Sequence, residues 1–432
     1  MTDIKDQFNF TLETSCVQSL EPYEPGQPRV YPLVQSTTYE YQDPEYLAEL
    51  FDLTKTGYMY SRISNPTVDV LERKLAALEG GVGAVATASG QAATTMAVLN
   101  ILEAGDNLIA TETLYGGTHT LLGSTLKKLG INTKFVSPNA SGDEISALVD
   151  ENTKAIFGES LGNPGANVLD LEKFAKAAHQ NNIPLIIDNT IPSPYLCHPF
   201  DFGVDIVVHS TSKYIDGQGS VLGGVVIDSG RFDWAASGKF PCLSEPDPDY
   251  HGTVYTQAFG NAAYIVKART NIGRDLGSTM SAFNAFIFNR GLETLHLRME
   301  RHSANAQKVA EFLAQHPSVT WVNYPGLKDS EYHELAKKYL PKGNSGILLF
   351  GVKGGKEQGF AFTKALGWIK NVVHIGDART CLLHPASTTH RQLNDEELAA
   401  AGVPPEAIRL NVGIENVEDI IADLNHALNT IQ

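Results

Sequence analysis

The amino-acid sequence predicts an α/β protein, with a mostly parallel sheet in a larger domain and a smaller α/β domain towards the C-terminal end. Three observations carry this expectation. Short aliphatic runs alternate with segments of helical periodicity from residue 66 to residue 213, the rhythm of βα units. Several of these runs stop abruptly at small, hydroxylic or charged residues, as strands do when their carboxyl ends open on a crevice. The alternation lapses after residue 225, passes through an irregular loop and a helical region at 254–315, and resumes beyond residue 346. The expected division is an arm at 1–59, a larger domain at 60–270 and a C-terminal domain at 271–432.

At 432 residues the chain is long enough for two or three domains. Its net charge of -16, from 33 basic and 49 acidic residues without a dense basic run, argues against nucleic acid or anionic membrane as partners. The four cysteines, Cys16, Cys197, Cys242 and Cys381, have no metal-site spacing. A reduced compartment is expected. The opening Met-Thr-Asp-Ile-Lys-Asp lacks a basic-then-apolar signal, and no apolar run reaches membrane-spanning length, so the cytoplasm is the expected address.

Taken in order, residues 1–59 are punctuated by Glu-Pro-Tyr-Glu-Pro-Gly-Gln-Pro and read as an extended arm with little core. Asn65-Pro66 starts a helix carrying Val68, Leu71, Leu75 and Leu78 at helical spacing. Just before it, Tyr60 and Arg62, two apart in an extended piece, point the same way and together suit a phosphate. An exposed turn with ordinary surface residues is the other reading. Val82–Ala86 form a strand, and Ser89 then caps a helix beginning Gly90-Gln91. Glycine there lets a bound group approach the backbone, and the free N–H groups of the first turn favour an anion. Asn107–Ala110 form the next strand, followed by Tyr115 before Gly116-Gly117. That aromatic suits either a planar ring or a packing plug beside a turn. Helices at 117–129 and 143–149 and a strand at 132–136 continue the rhythm.

A strand at Ala155–Phe157 leads into the polar set Glu159-Ser160-Leu161-Gly162-Asn163, in which Asn163 is placed to reach a phenolic oxygen. A helix from Leu171 to Asn181 precedes Ile183–Thr190, an apolar strand ending in Asp188. A carboxylate there is costly to bury without a cationic partner. A protonated pyridine nitrogen is one such partner, and a structural ion pair is another. The next strand, Ile206–Val208, runs into His209-Ser210-Thr211-Ser212-Lys213. Two hydroxyls and one amine at a strand end suit an anionic cofactor that condenses with amines, and pyridoxal phosphate is such a cofactor. A lone Ser-x-Ser-Lys serves equally as a solvated turn, so the weight rests on its partners.

Beyond residue 225, Phe240–Gly252 reads as a long loop and 254–315 as largely helical, with a long connecting helix into the second domain. There, strand-like Gly346–Val352 and a helix at 357–366 precede Val372-Val373-His374-Ile375-Gly376. Arg409 stands on the short alternating run Ile408–Ile414, where an inward arginine is costly unless it binds a carboxylate. An amino-acid substrate offers one.

These blocks together resemble the Cys/Met-metabolism family of pyridoxal-phosphate enzymes over nearly the whole chain. The resemblance rests on Tyr60-Ser61-Arg62-x-x-Asn65-Pro66-Thr67, Ala88-Ser89-Gly90-Gln91-Ala92-Ala93, Leu114-Tyr115-Gly116-Gly117-Thr118, Ile187-Asp188-Asn189-Thr190, His209-Ser210-Thr211-Ser212-Lys213, His384-Pro385-Ala386-Ser387-Thr388-Thr389-His390 and Ile408-Arg409-Leu410. Gln91, Gly117, the loop through Pro246–Gly252 and Gly376-Asp377-Ala378-Arg379-Thr380 are most similar to the branch that joins sulfide to O-acetylhomoserine.

The resemblance implies an aspartate-aminotransferase-like fold, with Lys213 as the Schiff-base lysine and general base and Tyr115 as a second catalytic residue. It implies Asp188 at the pyridine nitrogen, Tyr115 stacked on the ring, and Asn163 at the ring oxygen. Ser89, Gly90, Gln91, Ser210 and Ser212 belong to the phosphate set, which Tyr60 and Arg62 complete from a neighbouring subunit. Tyr60, Tyr115, Asn163, His374 and Arg409 form the substrate set, with Arg409 on the substrate carboxylate. At least a dimer is implied, and commonly a tetramer of two such dimers. Ser212, Gln218 and His374 depart from residues frequent in the family, which have threonine, histidine and a small polar residue there. A γ-lyase or cystathionine γ-synthase of the same family is the near alternative, and a cofactor-free α/β protein binding small anions is the distant one.

Overall fold

A computed structural model describes residues 10–18, 25–389, 391–392, 394–400 and 402–431. Parts of the expected arm, residues 1–9 and 19–24, and His390 of the histidine-proline block lie outside the described residues. The first long helix, α1 (Pro66–Glu79), starts where Asn65 accepts hydrogen bonds from the N–H groups of Thr67 and Val68. It stops at Gly80, whose φ of 79° suits glycine. Its Val68, Leu71, Leu75 and Leu78 are all buried, as their spacing requires.

The chain then alternates through β1 (Gly83–Thr87), α2 (Gly90–Leu99), β2 (Asn107–Thr111), β3 (Asn132–Val136), β4 (Thr153–Glu159), α3 (Leu171–Gln180), β5 (Leu185–Asp188) and β6 (Ile206–His209). A further strand, β7 (Gly224–Asp228), completes a seven-stranded sheet of order β1-β7-β6-β5-β4-β2-β3. Strands β3, β2, β4, β5 and β6 are parallel, whereas β7 runs antiparallel to both its neighbours. Both faces are covered. Val85, Leu108, Ile186 and Val208 pack with Met96 and Ala97 of α2, and Ile109, Ile156, Ile187 and Val207 pack with Leu71 of α1 and Phe174 of α3.

A second sheet of order β10-β11-β12-β9-β8 comprises β8 (Val319–Asn323), β9 (Ile347–Val352), β10 (Lys370–Asn371), β11 (Cys381–Leu383) and β12 (Ala407–Asn411). Helices α4 (Leu295–Gln315), α5 (Gly355–Ala365) and α6 (Val417–Thr430) cover it through Val309, Leu313, Phe362, Ile420 and Leu424. Among the described residues no helix is long and apolar enough to cross a membrane.

The structure corrects several expectations. β7 was not anticipated, because only Val225, Val226 and Ile227 lie between Gly224 and the polar turn at Asp228. The long loop contains helical turns at Pro241–Ser244 and Pro248–Tyr250 and buries Phe240, Leu243 and Tyr250. The helical region is interrupted at 277–281, where Thr279 bridges to Thr87 of β1. Residues Tyr60–Ile63 form a turn rather than an extended piece, closed by Ile63 N–H donating to Tyr60 O.

Asp228 lies at the end of β7 remote from the carboxyl ends of the parallel strands, paired in register with Ile206 at the start of β6. Burial pushes its carboxyl up to about 7, and Oδ2 is buried without a partner. The folded state therefore retains a proton that the unfolded chain releases near pH 4, so this group's contribution to stability falls as pH rises from about 4 to about 7. Asp228→Asn removes that loss. Its advantage over the parent is expected to be small near pH 4 and to grow to at most about 4 kcal/mol by pH 8, read from denaturant unfolding at the two pH values. A difference that does not change with pH would contradict this account.

Candidate active site

β4, β5 and β6 end side by side. Glu159 faces Asp188 in register and Asp188 faces Val208, so the residues just beyond converge on one cavity at the carboxyl end of the sheet. Ser89, Gly90, Gln91, Tyr115, Asn163, Asp188, Ser210, Ser212, Lys213, His374 and Arg409 all line it. They come from seven separate stretches of chain, which is how motifs individually weak acquire weight.

At one end, Ser89 caps α2 by accepting from Ala92 N–H at 3.1 Å. The preceding N–H groups of the first turn are left for an anion. Gly90 packs so closely on Ser210 that a Cβ there would lie 2.6 Å from the serine Cβ. Ser210 is fixed by its own N–H donating to Thr190 Oγ1 at 2.8 Å. Gln91 donates to Thr118 Oγ1 at 3.1 Å. The Ser212 hydroxyl lines the cavity but also accepts from Gly223 N–H at 2.9 Å and donates to Gly223 O at 3.2 Å.

At the floor, Asp188 Oδ1 accepts from Thr190 N–H at 2.9 Å. Glu159 accepts from the N–H groups of Tyr115 at 2.7 Å and Asn163 at 3.1 Å. Burial raises both carboxyls, and the neighbouring Asp188 raises Glu159 further. Tyr115 stands half-exposed above them. Lys213 reaches across from the end of β6 with its Nζ 3.3 Å from His374 Nδ1. Burial, then the Arg409 charge, hold its amine below the ordinary lysine range, while burial, then Lys213, keep His374 low. Arg409 donates to Asn163 Oδ1 at 3.3 Å and His374 O at 3.2 Å and makes no ion pair among the described residues.

Tyr60 and Arg62 are not brought to this cavity within one chain. They lie together on the surface, with the guanidinium 5.3 Å from the tyrosine ring centroid and donating to Arg274 O. Glu159 and Thr190 are the organising residues that the sequence reading left without roles. The available signal for Glu159 was its place at a strand end adjacent to that of Asp188.

The cavity fits pyridoxal phosphate on its own chemistry. Backbone and hydroxyl donors cluster at one end, the buried Glu159 and the half-buried Asp188 at the floor call for a cationic ring, and an amine with a depressed proton affinity stands between them. Fold and cavity thus fit an α/β enzyme of the aspartate-aminotransferase-like class with pyridoxal phosphate as its cofactor. The family model for Cys/Met metabolism PLP-dependent enzymes matches residues 13–429, and the chain belongs to that family.

Among its relatives, homocysteine synthase of Schizosaccharomyces pombe is 48% identical over 94% of this chain and 95% of its own length. O-acetyl-L-homoserine sulfhydrylase of Leptospira meyeri is 47% identical over 98% of both chains. A Campylobacter jejuni structure named for O-acetylhomoserine (thiol)-lyase, containing N'-pyridoxyl-lysine-5'-monophosphate, superposes with a TM-score of 0.93 at 40% identity, covering 97% of this chain and all of that one.

Proposed function

We propose that the protein catalyses γ-replacement on O-acetyl-L-homoserine, taking up sulfide and releasing L-homocysteine and acetate. The observation that carries this reading is the near-complete, 47% identical match to a relative named O-acetyl-L-homoserine sulfhydrylase. When bound, pyridoxal phosphate supplies an aldehyde that joins amines and a ring that stores the electrons left at a carbon losing its proton. The chain's residues do the rest. Arg409 binds the substrate carboxylate through both oxygens, with His374 and Asn163 beside it. Lys213, once its amine is free, takes a proton from the α-carbon and moves protons at the β-carbon, so that acetate leaves the γ-carbon and sulfide adds there. Asp188 would partner the ring nitrogen, Tyr115 would cover the ring, Asn163 would reach its phenolic oxygen, and Ser89, Gly90, Gln91, Ser210 and Ser212 would hold the phosphate.

In the same reading, Tyr60 and Arg62 complete the site of a neighbouring subunit, in a homotetramer built from dimers in the cytoplasm. The arm at 1–59 lies on that neighbour, the domain at 60–270 holds the cofactor, and the domain at 271–432 supplies Arg409. The decisive test is product identification with O-acetyl-, O-succinyl- and O-phosphohomoserine, each with sulfide, against methionine or cystathionine alone. Homocysteine and acetate from the O-acetyl ester are expected as the main products. Faster breakdown of methionine or cystathionine would replace this reading with a γ-lyase.

A further inference from the structure

Three adjacent strand ends each place one residue in the cavity and its sequence neighbour on the opposite side of the backbone, as strand alternation requires. The pairs are Glu159 and Ser160, Asp188 and Asn189, and Ser210 and His209. On the side away from the cavity the second members meet in a single buried chain of hydrogen bonds. Ser160 Oγ donates to Asn189 Oδ1 at 2.8 Å, Asn189 Nδ2 donates to Glu79 Oε1 at 3.0 Å, and His209 Nε2 meets the same carboxylate oxygen at 2.6 Å. With Glu79 ionised its carboxylate only accepts, and His209 Nε2 is then the donor. Glu79 is the last residue of α1, and the side chains of Glu79 and His209 are both 0% exposed.

We infer that Glu79 and His209 are positioning residues of the cofactor site: Glu79, fixed on α1, holds the ends of β5 and β6 from behind and so sets Asp188 and Ser210 in place. An apolar pair of similar volume would fill this space without the desolvation cost of an acid and an imidazole. Glu79 Oε2 and His209 Nδ1 are moreover buried without partners, so the pair is not optimised for stability alone. Holding the end of β5 from behind also fixes where the Asp188 carboxyl stands in the cavity, where Thr190 N–H donates to its Oδ1 at 2.9 Å. The inference depends on pyridoxal phosphate binding and is independent of which substrate the enzyme takes.

The test compares His209→Leu with His209→Gln, whose amide nitrogen can take the place of Nε2. Pyridoxal phosphate is titrated into the cofactor-free proteins, and the long-wavelength band of each loaded protein is followed against pH. In His209→Leu the dissociation constant is expected to rise about 10- to 100-fold, the size of effect seen when the groups that orient ligands are lost, and the titration of the band to shift. In His209→Gln both should stay near the parent. An unchanged constant and band in His209→Leu overturn the inference, as does a glutamine variant that behaves like leucine, which would make ring packing the whole effect. If His209→Leu does not fold, Glu79→Met decides. It keeps the length of the side chain and removes the acceptor that Asn189 and His209 share, and an unchanged constant and band there overturn the inference too.

Discussion

Lys213→Ala is expected to abolish turnover of O-acetylhomoserine with sulfide, by about 10³-fold or more, because on the proposed reading it removes the cofactor's covalent anchor and, among the described residues, the only lysine amine lining the cavity. The effect follows from geometry and proton affinity together. Lys213 lies four residues beyond β6 in the cavity that Ser89, Ser210 and Arg409 also line, and burial reinforced by the Arg409 charge disfavours its ammonium form. Its pKa is therefore depressed, so the neutral, proton-accepting amine is available at lower pH than for a solvated lysine. Borohydride reduction followed by peptide mass analysis should find the pyridoxyl group on Lys213 in the parent and nowhere in the variant. Retained turnover, or a pyridoxyl group fixed on another lysine, would refute the assignment.

Most of the fold was legible because its strands are buried on both faces. Runs such as Ile206–Val208 and Ile183–Asp188 need no tertiary information to be read as core strands, and the polar residues after them mark the crevice. β7 and β8 escaped for opposite reasons. β7 has only three apolar residues, while Val-Thr-Trp-Val-Asn of β8 is partly exposed and lacks a continuous apolar signal. In the site, Asp188 and Arg409 were legible because each is an expensive residue in an apolar setting, and Ser210 because it follows a strand end together with Ser212 and Lys213. Glu159 was harder to read, since its work is to hold the N–H groups of Tyr115 and Asn163, and those contacts join residues 44 and 4 apart in sequence. The Glu79–His209 contact spans 130 residues and carries no local signal at all. Tyr60 and Arg62 were read correctly as neighbours but wrongly as extended, because the turn depends on the bridge between Tyr60 and Thr38 in the arm.

Arg409→Leu is expected to lower kcat/KM for O-acetylhomoserine by about 10²- to 5 × 10³-fold, the range that matches the 3–5 kcal/mol lost when one partner of a buried ion pair is removed. The arginine now spends two N–H groups on Asn163 Oδ1 and His374 O at 3.2–3.3 Å, bonds long enough to yield to a carboxylate. Burial lowers its own pKa, a cost that an anionic ligand would reverse. Arg409→Lys should recover only part of the loss, because an ammonium cannot offer the planar two-point contact of a guanidinium. The substitution also carries a pH signature. Arg409 helps to hold the Lys213 proton affinity down, so its removal raises the Lys213 pKa and leaves more of the freed amine protonated at any given pH. The acid limb of the kcat profile should therefore move towards alkaline pH in Arg409→Leu and much less in Arg409→Lys, which keeps the charge. Replacing the substrate carboxylate by an amide separates the two effects. The amide should lose most of its rate with the parent enzyme and little more with Arg409→Leu, and an equal loss with both enzymes would show that the carboxylate is bound elsewhere.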